Sequence, residues 1–77
     1  MADDDLLKRV MPHDIKAEQS VLGAMLIDNE TIGPISEILS GEDFYVKQNG
    51  VIFDAMSSLY RENKAVDPVT VLNRLKE

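Results

Sequence analysis

The sequence contains no cysteine and one histidine, and these two shortages exclude most metal and redox sites. Without cysteine the chain forms neither a disulfide nor a thiolate zinc site, and cysteine usage gives no indication of a redox compartment. The single His13 argues against a histidine-based metal centre and against a serine–histidine catalytic set. The glycines are isolated, and none belongs to a phosphate-binding loop. The sequence therefore predicts a non-catalytic chain with no metal or cofactor of its own.

Basic residues and long apolar runs are also scarce. The chain has 8 Lys and Arg against 14 Asp and Glu, for a net charge of −6, and its basic residues are scattered apart from Lys8–Arg9. Binding to a phosphate backbone needs clustered positive charge, so direct nucleic-acid binding is not expected. The longest apolar run, Ala24–Ile27, is far too short to cross a membrane, and the acidic start is unlike a signal peptide. We expect a soluble, intracellular domain.

The length of 77 residues allows one small domain. We interpret residues 1–11, which include Asp3, Asp4 and Asp5, as a flexible acidic arm. The alternative is that Leu6 and Leu7 form a short docking turn against the body or a neighbour. Residues 12–77 are predicted to form a helical domain that is incomplete, because the chain ends within its fourth helix.

Four segments have helical periodicity, and no segment alternates with the period of a strand. The first helix begins near Ile15 with Asp14 as its N-cap, and the fourth begins at Asp67–Pro68. The second contains Ile32, Ile35, Ile38 and Leu39, tolerates Pro34 near its start, and ends at Ser40–Gly41 with Gly41 in a left-handed cap. The third runs from about Lys47 to Glu62 and ends at a polar stop. The predicted fold class is all-α, a small bundle of about four helices built from helical hairpins.

Glu18 is the one charged residue inside the apolar arc of the first helix. That arc contains Ala17, Val21, Leu22, Ala24, Met25 and Leu26. We interpret Glu18 as a surface residue that favours the helix dipole and covers apolar surface with its stem. The alternative is a partly buried acceptor bound to Arg61, Lys64 or a backbone donor, whose removal costs about 1–3 kcal/mol.

Two further patterns concern packing. Phe44 is predicted to fill the core while Tyr45 packs at its edge, since Glu42 and Asp43 beside them argue against a base-stacking platform. The apolar residues of the third helix cover an arc of roughly 200°, wider than one core contact needs. Either this helix is central, or part of its face contacts something missing from the chain. Its apolar residues are Val51, Ile52, Phe53, Ala55, Met56, Leu59 and Tyr60.

Composition and periodicity leave three classes of function open. The first is an oligomerising or partner-docking helical module, such as a stand-alone acidic adaptor. The second is a carrier protein, although the Asp-Ser-Leu signature that accepts a prosthetic arm is missing. The third is a helix-turn-helix DNA binder, which the negative charge argues against.

Five sequence blocks, in order and in register, decide among these classes. They are Pro12–His13, Ala17–Gly23, Glu42–Tyr45, Ile52-Phe53-x-Ala55-Met56 and Val66–Thr70. Together they resemble the start of the DnaB-type bacterial replicative DNA helicases, over roughly residues 12–75. Asn49–Gly50 departs from the family pattern, which has a histidine followed by a long polar residue.

The resemblance implies an N-terminal all-α bundle whose later helices form a hairpin that pairs neighbouring subunits. Six such domains would form a collar that recruits primase, and a helicase loader would be a further partner. ATP and Mg²⁺ would bind a downstream motor domain, and the protein would be cytoplasmic. Without the hairpin, we expect this chain to be monomeric or weakly self-associating. We also predict that Phe53, Met56 and Tyr60 form an interface with a partner or with the missing hairpin.

Overall fold

The computed structural model describes residues 14–77. Within this range the chain forms four α-helices and no strand. They are α1 (Ile15–Ile27), α2 (Ile32–Ile38), α3 (Lys47–Arg61) and α4 (Pro68–Lys76), with short 3-10 turns at Asn29–Thr31 and Gly41–Asp43. The predicted all-α class is therefore confirmed. The acidic arm at residues 1–11, with Leu6 and Leu7, lies outside the described residues.

Local side-chain caps set the starts of α1 and α4. The Asp14 carboxylate accepts a hydrogen bond of 3.0 Å from the backbone N–H of Ala17. Asp67 accepts one of 2.9 Å from the N–H of Thr70, whose hydroxyl in turn accepts one from the N–H of Asp67. Each cap pairs a helix N–H that has no partner within the helix, so both predicted starts are confirmed.

The connection after α2 differs from the prediction. Helix α2 ends at Ile38, and Leu39 is already extended, with its side chain buried in the core. Gly41 has no positive φ and instead opens a 3-10 turn, so the left-handed cap predicted there is wrong. Among the described residues the positive φ belongs to Asn63, at 61°, where α3 ends.

Asn29 joins the end of α1 to the loop before α4. Its side-chain amide donates to the carbonyl oxygens of Met25, at 2.9 Å, and Val66, at 3.0 Å. Its side-chain oxygen accepts a hydrogen bond of 2.9 Å from the N–H of Val66. Val66 is thereby held with its side chain in the core.

Helix α3 lies at the centre of the bundle and contacts α1, α2, α4 and the Gly41–Asp43 turn. This position accounts for most of its wide apolar arc. Phe44 fills the core as predicted and packs on Phe53 with ring centroids 5.0 Å apart, while Tyr45 is exposed. On α1 the arc is narrower than predicted, because Ala24 is exposed. The core contains Leu22, Met25, Ile32, Leu39, Phe44, Phe53, Met56, Leu59, Val66 and Val71.

Candidate protein-interaction site

Helix α4 presents three apolar side chains to solvent, Val69, Leu72 and, least exposed at 39%, Leu75. Val69 is 67% exposed and Leu72 is 54% exposed. They are three positions apart and so lie on the same side of the helix. We call Val69 and Leu72 the α4 outer face. Exposed apolar side chains that adjoin one another make this surface a candidate for contact with another protein.

A groove of about 430 Å³ lies between α3 and α4. It is lined by Lys47, Gln48, Val51, Ile52 and Leu75, and we call it the α3–α4 groove. Val51 is the most exposed residue of the wide apolar arc, with a relative exposure of 50%. The groove is therefore an apolar concavity with polar groups from Lys47 and Gln48.

The three residues predicted as an interface occupy different environments. Phe53 and Met56 are buried in the core, with relative exposures of 1% and 0%. Tyr60 is half-buried, and its ring lies 3.4 Å from the position that a Cβ on Gly33 would occupy. Of the three, Tyr60 is the one with surface available to a partner, and the interface itself stays a prediction.

The start of α3 is held by the buried carboxylate of Glu18. This side chain has no exposed surface, so the interpretation of Glu18 as a surface residue is wrong. Its oxygens accept hydrogen bonds from the backbone N–H groups of Tyr45 and Val46 and, at 3.0 Å, from the side-chain amide of Asn49. The alternative of a backbone-bound acceptor is correct, and the partners are not Arg61 or Lys64.

Helix α3 starts without a side-chain cap from its own N-cap residue. Val46 occupies that position and has no side-chain oxygen to pair the first N–H groups of the helix. The Glu18 carboxylate instead pairs the N–H groups of Tyr45 and Val46, just before the helix, and its negative charge is favoured at a helix N-terminus. The Lys47 end of the α3–α4 groove is thus fixed to α1.

Two glycines allow the Gly41–Asp43 turn to cross α3 at close range. A Cβ on Gly50 would lie 2.3 Å from the carbonyl oxygen of Gly41, and one on Gly41 would lie 2.3 Å from a carboxylate oxygen of Asp54. The N–H of Gly41 donates to that same carboxylate over 3.0 Å. Gly50 therefore permits the close packing of the turn against α3.

Arg74 fastens α4 to α3. Its guanidinium donates to the two carboxylate oxygens of Glu62 at 3.0 and 2.8 Å, and to the hydroxyl of Ser58 at 2.6 Å. The hydrogen bonds from Arg74 to Glu62, with a smaller contribution from Lys64, lower the pKa of Glu62 from its ordinary value of 4.5 to about 2. The same pairing raises the pKa of Arg74. We call this pair the Arg74–Glu62 clamp. It joins α4, and hence its outer face, to the end of α3.

Sequence reasoning did not identify the Arg74–Glu62 clamp. The residues are 12 positions apart and lie on either side of a loop, so no helical spacing relates them. The sequence did offer one indication: Arg74 lies in the last turn of a short helix, and the acidic Glu62 lies at the end of the preceding helix.

The described residues show no arrangement suited to a metal ion or a membrane span. No group of three or more His, Cys, Asp and Glu residues within 14–77 is placed to hold a metal. No helix in the same range is long and apolar enough to cross a membrane.

Comparison with known proteins identifies the family to which this fold and surface belong. The family model for the DnaB-like helicase N terminal domain matches residues 10–77. The chain belongs to this family. The exposed surface of α4 therefore lies on the N-terminal domain of a DnaB-like helicase, as the five sequence blocks indicated.

Curated relatives agree with the family match. The chain is 37% identical over 73 residues to the replicative DNA helicase DnaB of Leifsonia xyli subsp. xyli, covering 95% of the chain and 16% of the relative. It is 44% identical over 68 residues to the proteins of the same name from Rhodothermus marinus and Geobacillus stearothermophilus. Those matches cover 88% of the chain and, respectively, 7% and 15% of the relatives.

The chain thus spans about a sixth or less of the length of these relatives. No solved structure matches it significantly. Membership of the helicase family argues against the carrier-protein and helix-turn-helix interpretations.

Proposed function

We propose that this domain is a non-catalytic protein-interaction and oligomerisation module of a replicative DNA helicase, and that it forms part of a hexamer collar that recruits primase. The α4 outer face carries this proposal. Val69 and Leu72 are apolar and exposed, and the Arg74–Glu62 clamp holds them on a fixed helix. A rigid apolar face is suited to binding because little conformational entropy is lost on contact.

The rest of the proposed activity belongs to a longer protein. The relatives named replicative DNA helicase are far longer than this domain. We propose that the longer protein hydrolyses ATP with Mg²⁺ in a separate motor domain to separate DNA strands in the bacterial cytoplasm. Its partners would be other copies of itself, primase and a helicase loader. The net charge of −6 supports a role for this domain in protein contact and not in direct DNA contact.

Tyr60 extends the proposed interface onto α3. Phe53 and Met56 hold this helix from inside the core, and Tyr60 on the same helix retains exposed surface. We propose that Tyr60 contacts a neighbouring subunit or a following helical hairpin, with Phe53 and Met56 supporting it indirectly.

Titration of the 77-residue chain with the primase of the same bacterium tests the partner assignment. Isothermal titration calorimetry compares the natural chain with the double variant Val69→Glu, Leu72→Glu. Two charges in an apolar contact are expected to weaken binding at least about tenfold, since each loses a buried contact and must be desolvated. Ile27→Glu is the matched control, because Ile27 is 89% exposed and lies at the end of α1.

Saturable binding that the double variant weakens and Ile27→Glu leaves intact would support primase recruitment through α4. Absence of binding, or equal affinity for all three chains, would refute it. Circular dichroism of each variant establishes that the helices are retained.

Sedimentation equilibrium tests the oligomerisation part separately. The 77-residue chain is expected to be monomeric or weakly associating, and the longer protein hexameric. A stable hexamer of the 77-residue chain would show that no further hairpin is needed for assembly.

A further inference from the structure

Asn49 and Gly50 form the one asparagine–glycine pair in the sequence, and the pair lies in the first turn of α3. An asparagine side chain is chemically labile when glycine follows it, because glycine has no side chain to keep its backbone nitrogen away from the asparagine Cγ. The other asparagines precede Glu30, Lys64 and Arg74, whose side chains hinder this approach. Asn49 is therefore the asparagine most prone to lose its amide.

We propose that Asn49–Gly50 is a deamidation site controlled by opening of the first turn of α3, and that the product carboxylate, placed against Glu18, prevents this turn from closing again. The inference goes beyond the proposed helicase function and does not depend on it. It makes the loss of one side-chain amide an irreversible change to the fold.

The reaction needs only the protein and water. The backbone nitrogen of Gly50 attacks Cγ of Asn49, the new C–N bond closes a cyclic imide, and the bond from Cγ to Nδ2 breaks. The proton of the Gly50 nitrogen leaves with the Nδ2 group as ammonia. Water then opens the ring at Cγ, which gives aspartate, or at the backbone carbonyl carbon, which gives isoaspartate. No oxidation or reduction takes place.

The closed fold opposes the first step in three ways. The N–H of Gly50 donates to the carbonyl oxygen of Val46 over 3.2 Å, so this nitrogen is engaged. The helical backbone at Asn49 holds that nitrogen away from Cγ. The leaving group, Nδ2 of Asn49, donates to a Glu18 carboxylate oxygen over 3.0 Å. Deamidation therefore has to wait until the first turn of α3 opens.

This end of α3 is expected to open before the rest of the bundle. Val46 supplies no side-chain cap, and Gly50 is unfavourable within a helix. Closure thus depends on the Glu18 carboxylate, which is contributed by α1. Helix ends with few local contacts open at a lower free energy than core segments. The rate of deamidation should follow the equilibrium population of the open turn.

The product is unable to restore the contact with Glu18. A carboxylate at position 49 has no N–H to donate, and it brings a second negative charge to a side chain that has no exposed surface. Like charges held close together in a buried site repel each other more strongly than in water. An isoaspartate also adds one carbon to the backbone, which shifts the helical hydrogen bonds out of register. Either product keeps the turn open.

Mass spectrometry of the 77-residue chain, incubated at mildly alkaline pH, tests the control by opening. Trypsin cleaves after Lys47 and Arg61, and Asn49 is the one asparagine in residues 48–61. Replacement of the amide NH₂ by OH is measured as a gain in mass. Deamidation in the folded natural chain is expected to be at least about tenfold slower than in urea. Glu18→Ala without urea is expected to be at least about tenfold faster than the natural chain.

Val71→Ala is the control for general destabilisation, because it truncates a core side chain of α4 and leaves the Glu18 contacts in place. It is expected to accelerate deamidation by less than about threefold. Equal acceleration in Val71→Ala and Glu18→Ala would overturn the proposal, as would equal rates in the folded chain and in urea. If Glu18→Ala loses its helical circular dichroism, Glu18→Gln provides the same comparison.

Hydrogen–deuterium exchange in Asn49→Asp tests the effect of the product. Protection of the Gly50 N–H is expected to fall at least about tenfold, and that of the Leu59 N–H, farther along α3, by less than about threefold. Glu18→Gln combined with Asn49→Asp returns a donor amide to the site and is expected to bring Gly50 within about threefold of the natural chain. Unchanged protection in Asn49→Asp, or no recovery in the double variant, would overturn the proposal.

Discussion

Removal of the Glu18 carboxylate is the most informative change to the fold, because it removes the acceptor of three hydrogen bonds. Glu18→Ala takes this acceptor away from the N–H groups of Tyr45 and Val46 and from the amide of Asn49. An unsatisfied buried donor costs about 1–3 kcal/mol. The three costs do not add fully, since Tyr45 is exposed, Val46 and Asn49 are half-buried, and water can reach their donors. We expect a loss of about 2–4 kcal/mol in the free energy of unfolding.

Two matched variants show whether the loss comes from the carboxylate. Glu18→Gln keeps the volume but replaces one acceptor oxygen with a donor, so about 1–3 kcal/mol is expected. Gln19→Ala, on the exposed side of α1, should change stability by no more than about 0.5 kcal/mol.

Urea denaturation followed by circular dichroism measures all three variants. For a domain of this size 1 kcal/mol shifts the melting temperature by roughly 4–8 °C, so thermal melting provides a second measure. A Glu18→Ala variant whose free energy of unfolding is within about 0.5 kcal/mol of the natural chain would refute the reasoning. It would show that the hydrogen bonds of the buried carboxylate do not stabilise the fold.

Two further predictions concern the glycines and the clamp. Gly50→Ala should destabilise the fold by about 1–3 kcal/mol, because the new Cβ would lie 2.3 Å from the Gly41 carbonyl oxygen. Gly23→Ala is the control: a Cβ there has no atom within 4 Å, so this change should stabilise α1 by about 0.5–1 kcal/mol. Equal effects in urea denaturation would contradict the close crossing. The lowered pKa of Glu62 predicts a contribution to stability that is fully present above pH 4.5 and is lost as pH falls to about 2. Arg74→Gln should flatten this part of the stability–pH curve, and an unchanged curve would contradict the clamp.

Features determined by neighbouring residues were predictable from the sequence. Asp14 and Asp67 each cap an N–H three residues along the chain, so residue type and spacing suffice to predict both helix starts. The apolar period likewise predicted Phe53 and Met56 as apolar contact residues of α3. It could not establish whether their partner is the core or another chain, because that depends on which helices surround α3.

Features determined by tertiary contact were not predictable. The spacing marked Glu18 as anomalous, yet its partners are 27 to 31 residues away and include two backbone groups that any sequence would supply. In the sequence, nothing relates Gly41 to Gly50. Their close contact arises only because the fold brings the turn against α3. The exposure of Val69 and Leu72 depends in the same way on which face of α4 packs against the bundle, since that packing buries Val71.

Cysteine protection on the α4 outer face tests most directly the claim that this domain works through protein contact. Leu72→Cys and Ile27→Cys each place one thiol on a surface of a chain that has no other. The rate of maleimide labelling is measured for each, alone and with a saturating amount of primase. The account predicts that primase slows labelling at Leu72→Cys at least about tenfold and leaves Ile27→Cys unchanged. Equal rates at both positions, with and without primase, would contradict it.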